Sequence, residues 1–112
     1  MNHEIKELPM EAEERYLHAL VSKLFKLLPI QEEGNRDAFV AYAQGLQREL
    51  SDCASVLRRI ACDRDWANIL AILTNIADDN VAFAQLRSDV FRMISLCETL
   101  ISRHFYGGLD DE

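Results

Sequence analysis

The amino-acid sequence predicts an all-α fold: an up-down four-helix bundle with one shorter member, formed as a single domain over residues 1–112. Two observations carry this. Apolar residues recur every seven positions in three segments, Met10, Leu17 and Leu24, then Phe39, Leu46, Cys53 and Ile60, then Phe83, Val90 and Cys97, with His104 next in phase. Seven residues are two helical turns, so each segment presents one stripe to neighbouring helices. Only four Gly and two Pro occur, too few for the many turns of an all-β fold. With 49% apolar and 28% charged residues, the chain can bury a core without disulfide or metal staples.

The first helix is expected over about residues 9–28. Pro9 suits a first turn, where its missing N–H has no partner in any case. Glu11, Glu13 and Glu14 then favour the positive end of the helix dipole. Leu17, Leu20, Val21, Leu24, Leu27 and Leu28 form its apolar face, and Pro29 is expected to stop it. Gln31 to Asn35, with Gly34, reads as a loop.

The second helix is expected over 36–60, buried through Phe39, Tyr42, Leu46, Leu50, Cys53, Leu57 and Ile60. Gly45 costs about 1 kcal/mol relative to Ala in mid-helix, which suggests a close helix crossing. Asp63 and Asp65 are both N-cap candidates for a short third helix over 65–76. Its apolar set, Trp66, Ile69, Leu70, Ile72, Leu73 and Ile76, covers roughly 160° of the circumference, wider than the ~100° of a one-sided helix. Such a helix is either central in its own domain or half of an interface. The fourth, over 80–105 with Asp79 or Asn80 as cap, turns Phe83, Leu86, Val90, Met93, Ile94, Cys97, Leu100 and Ile101 inward, and Gly107-Gly108 terminates it. Short connections make consecutive helices antiparallel neighbours.

The net charge of −7 arises from 19 acidic and 12 basic residues, and its placement matters more than its size. Residues 38–62 and 81–106 each sum to +1, so the excess acid lies in predicted loops and the tail Asp110-Asp111-Glu112. Acid there aids solubility and offers nucleic acid no clustered base. It is also not the row of helix-borne carboxylates that DNA mimicry requires. The opening Met1-Asn2-His3-Glu4-Ile5-Lys6 lacks a basic start and an apolar stretch, so no secretory signal is expected, and no apolar run approaches the roughly 20 residues of a membrane span. Three cysteines at no metal-type spacing point to a reduced, cytoplasmic protein.

Each chemical motif has a plain structural counterpart. Glu14 and His18 share a helix face, but one Glu–His pair recruits no metal by itself. Glu49 and Asp52 form the i, i+3 carboxylate step used by all-helical, Mg²⁺-dependent nucleotide hydrolases, yet the Glu-Glu-x-x-Glu partner is missing, since Glu13-Glu14 is followed by Tyr16-Leu17 and not by a third acid. Arg48, Arg58, Arg59 and Arg64 make the one local basic cluster, but the helix that follows carries no Lys or Arg after Arg64, as a recognition helix would need. Those arginines flank Cys62 and favour its thiolate, without a nearby histidine to act as base.

We therefore expect a non-enzymatic protein-protein interaction module, an adaptor or regulator without cofactor or metal. The alternatives are a small all-α metal/nucleotide-dependent hydrolase using Glu49 and Asp52, or a nucleic-acid-related regulator using the arginine cluster. Beyond the seams the chain carries Tyr16, Phe25, Ile30, Val40, Val56, Phe91 and Tyr106. Apolar surface left over on a small domain is normally covered by a partner, often a second copy. A homodimer, or a helical protein partner, is expected to cover a patch that includes Phe25, Trp66 or Ile72.

Overall fold

The computed structural model describes residues 9–78 and 82–106, the side chain of Phe83 excepted. Among them there is no strand. The elements are α1 (Met10–Phe25), α2 (Leu27–Glu32), α3 (Arg36–Cys53), α4 (Arg58–Ala61), α5 (Arg64–Ala77) and α6 (Phe83–Ile101), followed by a π-helical turn, Ser102–Tyr106. No helix among the described residues is long and apolar enough to cross a membrane.

Pro29 redirects the first helix instead of stopping it. The chain breaks at Lys26 and restarts, so that Pro29 falls in the first turn of α2, where a missing N–H costs nothing. Ile30 and Glu33 donate across it to the carbonyls of Lys26 and Pro29 at 3.2 and 3.1 Å. Gly34, with φ +82°, then takes the left-handed conformation that ends α2. The Asn35 side chain caps α3 by accepting from the Ala38 N–H at 3.0 Å.

The expected helix over 36–60 is two pieces. After Cys53 the chain makes a turn in which the Cys53 carbonyl accepts from the N–H groups of both Val56 and Leu57, at 3.0 and 2.9 Å. Helix α4 then starts afresh. Its first-turn N–H groups are the open donors of any helix N-terminus, and that of Ile60 is met by Glu13 Oε1, 3.4 Å away on α1. A buried acceptor from a distant helix thus competes with the local ladder, while Leu57 and Ile60 remain buried.

Of the two cap candidates for α5, Asp63 is the cap: its Oδ1 accepts from the Asp65 N–H at 2.9 Å. Ala82 occupies the cap position of α6, with no side-chain hydrogen bond. The candidates Asp79 and Asn80, and the terminating Gly107-Gly108, lie outside the described residues. Helix α6 does not continue as α-helix to 105 but widens into the π turn.

Helix α6 packs against α1 and α5, and α5 against α3. Each pair is antiparallel: Phe25 meets Phe91, Asp63 meets Arg103, and Gln44 reaches the Ala77 carbonyl. Long polar side chains span the remaining gap between α1 and α3, as Tyr16 and Lys23 reach Glu49 and the Tyr42 hydroxyl reaches the Lys23 carbonyl. The result is an up-down bundle. Leu24, Leu46, Leu50, Leu57, Val90 and Ile94, expected at its centre, are all buried.

Two packing expectations need correction. Gly45 marks no close crossing, since a Cβ built there meets no heavy atom within 4 Å. The broad apolar arc of α5 is used inside the monomer, because α3 and α6 flank it from two sides. Trp66 is accordingly 3% exposed and cannot serve a surface patch. Its indole N–H has no acceptor among the described residues, a cost accepted for burying the ring.

Candidate functional site

Helix α1 carries three stripes with different employment. Glu13, Leu17, Leu20 and Leu24 are buried in the core. Tyr16 and Lys23, on one flank, turn toward α3. On the other flank Met10, Glu14, Val21 and Phe25, spaced four, seven and four apart, line the edge shared with α6. The large apolar side chains most exposed among the described residues are Met10, Phe25, Phe91 and Tyr106, and the last three sit along this α1–α6 face.

The Phe25 and Phe91 rings meet edge-to-face, with centroids 5.6 Å apart and planes at 83°. That is the arrangement the ring quadrupole favours. Both rings nonetheless remain 42% and 39% exposed. The Arg87 guanidinium lies 5.2 Å from the Phe91 centroid, a cation–π contact at one end of the pair. Toward the other end is an open depression of about 240 Å³ lined by His18, Val21, Glu98, Ile101, Ser102 and Tyr106. The Tyr106 hydroxyl donates to Glu14, whose carboxylate is also 3.6 Å from His18 Nε2. A smaller depression of about 190 Å³, between Leu28 of α2 and Leu86 of α6, lies beyond Arg87.

Of the residues expected on an interface, Phe25 lies on this face, Trp66 is in the core, and Ile72 is half-buried on α5. Phe91 and Tyr106 were apolar residues without an assigned place in the sequence. Their convergence with Phe25 depends on α6 running antiparallel beside α1.

The candidate carboxylates are engaged in structure. Glu49 Oε2 accepts from the Tyr16 hydroxyl at 2.6 Å and from Lys23 Nζ at 2.8 Å. Partial burial raises the Glu49 pKa, but those two donors outweigh it and hold it below the ordinary value. Burial, then the Glu49 acceptor and its charge, push Tyr16 well above the phenol range. Asp52 is exposed and is not joined to this group by any hydrogen bond described. No three His, Cys, Asp or Glu side chains among the described residues converge to hold a metal ion.

Within the arginine cluster, Arg59 is engaged. Arg59 Nη1 donates at 2.6 Å to Glu13 Oε2, and Glu13 is fully buried. Glu13 stands in the first turn of α1, where the helix dipole favours an acid. It acts as an interhelix clamp that holds Arg59 and the Ile60 N–H together. Cys62 is exposed, Cys53 half-buried and Cys97 buried, all as free thiols. Burial pushes the Cys97 thiol up to about 12, which makes it inert at neutral pH.

A second polar junction joins residues forty positions apart. Asp63, the α5 cap, receives Arg103 Nη1 at 2.6 Å and His104 Nε2 at 2.8 Å, while Arg103 Nη2 also reaches Asp65 at 3.2 Å. His104 stands next in phase on the apolar seam of the fourth helix. Its partner is this carboxylate, brought by α5. Burial acts to raise the Asp63 pKa, but the Asp65 N–H, Arg103 and His104 outweigh it and hold the carboxyl down at about 2.

The folded value of Asp63 lies below the unfolded value near 3.9. Its contribution is therefore fully present above about pH 4 and lost as pH falls through about 2. The amount is at most on the order of 2 kcal/mol. Asp63→Asn should flatten the stability profile across that window, read by urea denaturation at half-unit pH steps. Parallel wild-type and variant profiles between pH 4 and 2 would contradict this role.

Fold and surface together define a small all-α domain with one aromatic-bearing helix-pair face. Comparison with protein-family models, with curated protein sequences and with solved structures finds no match to this chain.

Proposed function

We propose that this protein is a non-enzymatic interaction module that associates with a second copy of itself through the α1–α6 face, as an adaptor or regulator. The observation that supports the reading is the placing of exposed Phe25, Phe91 and Tyr106 along one side of one helix pair, with the His18–Tyr106 depression beside the aromatic pair. Scattered exposed apolar residues need no explanation, but a contiguous patch on a small domain marks a binding surface.

The size of the face suits the role. Helix α6, Phe83–Ile101, is about 28 Å long at 1.5 Å per residue. Two adjacent helices are about 20 Å wide, so an isologous pair covers roughly 1,100 Å² in total, at the lower end of specific interfaces. The three free thiols fit a reducing, cytoplasmic setting for such a module.

In sedimentation velocity at tens of micromolar, the wild type should run as a dimer. Phe25→Asp should run as a folded monomer, because a charge within the patch must be desolvated on pairing. A wild-type monomer at 100 micromolar would overturn the self-association.

A further inference from the structure

Resting on that reading, we infer that the two copies pair about a twofold axis that seats the Phe25–Phe91 aromatic pair of each in the His18–Tyr106 depression of the other, with Arg87 of each beside Glu14 of its partner. Both halves of the fit are on one face of one chain. The aromatic pair projects, with both rings about two-fifths exposed. The depression has about 240 Å³; a cavity of roughly 150 Å³ accepts one benzene ring, and with about three-fifths of each phenylalanine already covered in its own chain only the exposed edges of the pair need enter. Phe91 and Glu98 are seven residues apart on α6, so projection and depression are separated by about 10 Å at 1.5 Å per residue.

A twofold axis midway between them, near Val21 and Ser95, exchanges one for the other in both copies at once. Because the aromatic pair and the depression lie on the same helix pair, the twofold uses one self-complementary patch, and the contact closes as a dimer and does not propagate into a chain.

The charges obey the same axis. Arg87 lies one turn outside Phe91, and Glu14 lies one turn outside His18, on opposite sides of the midpoint. The twofold sets each arginine against the partner's glutamate, twice per dimer. A parallel superposition of the two faces would set like charge against like. The chain thus supplies both shape and charge for its own copy, which is what singles out that occupant over a foreign helix.

Charge reversal separates this arrangement from the broader reading. In sedimentation velocity, Arg87→Glu and Glu14→Arg should each weaken the dimer about tenfold, since like charges then meet twice. The double variant should return to within about threefold of wild type. Ser102→Trp, on the exposed rim of the depression, should block pairing without altering charge. Circular dichroism reads whether each variant is folded. A double variant no tighter than the weaker single variant, or a Ser102→Trp protein that still dimerises, overturns the proposed axis. If Phe25→Asp is monomeric in that case, the face remains the interface and only its geometry is wrong. A monomeric wild type removes both.

Discussion

Leu50→Ala should destabilise the domain by about 2–5 kcal/mol. Leu50 is fully buried on α3, in the stripe it shares with Phe39, Ala43 and Leu46. Helix α3 has α5 on one side and is joined to α1 by polar side chains on the other, so the deleted atoms face fixed neighbours. The loss combines the transfer free energy of the removed carbons with the cavity left behind, because surrounding helices relax only in part. Midpoint and slope of a urea titration give the change directly. A loss under about 0.5 kcal/mol would place Leu50 outside the core.

Glu13→Ala should cost about 2–4 kcal/mol, a large effect for a residue that looks like one of several acids at a helix start. The carboxylate is fully buried, with Arg59 on one oxygen and the Ile60 N–H on the other. Removing it leaves the Ile60 N–H, one of the open donors of α4, without its acceptor, and removes a charge-assisted bond. Arg59 is 39% exposed and regains water, which keeps the loss below that of a wholly buried pair. Glu13→Gln keeps an oxygen acceptor and should lose about half as much. Equal losses in the two variants would assign the effect to charge alone and leave no role for the Ile60 bond.

These residues show what the sequence could carry. The seven-residue seams located the buried stripes of α1, α3 and α6, through Leu17 and Leu24, Phe39 and Leu46, Val90 and Cys97, because burial at that spacing is a property of one helix and its own residues. The break after Cys53 left no such mark. Ala54-Ser55-Val56 contains neither Gly nor Pro, and the acceptor that stabilises the restart is Glu13, more than forty positions earlier. Pro29 was visible as a helix problem, but whether proline ends a helix or enters a new first turn depends on how the chain before it can bend. Asp63 was legible as a cap and illegible as the partner of Arg103 and His104, which only the antiparallel pairing of α5 and α6 brings near.

The same limit governed the candidate face. Apolar width on α5 cannot distinguish two flanking neighbours from one neighbour and an open side, so Trp66 was placed outside when it lies within. Phe25 was placed correctly at an edge of α1. Its companion Phe91 could be found only once α1 and α6 were known to be neighbours.

That the first long helix packs against the last has a consequence for synthesis. The stripe of Leu17, Leu20 and Leu24 finds its cover on α6 only after some sixty further residues have been made, about 3–12 s at ordinary elongation rates. Until then α1 emerges from the ribosome with its core side open to water. The loop that must close is long, and its entropic cost is met in one late step when α6 arrives. The decisive event in folding this domain thus waits on α6, and until then the nascent chain is most exposed to aggregation or chaperone capture through α1.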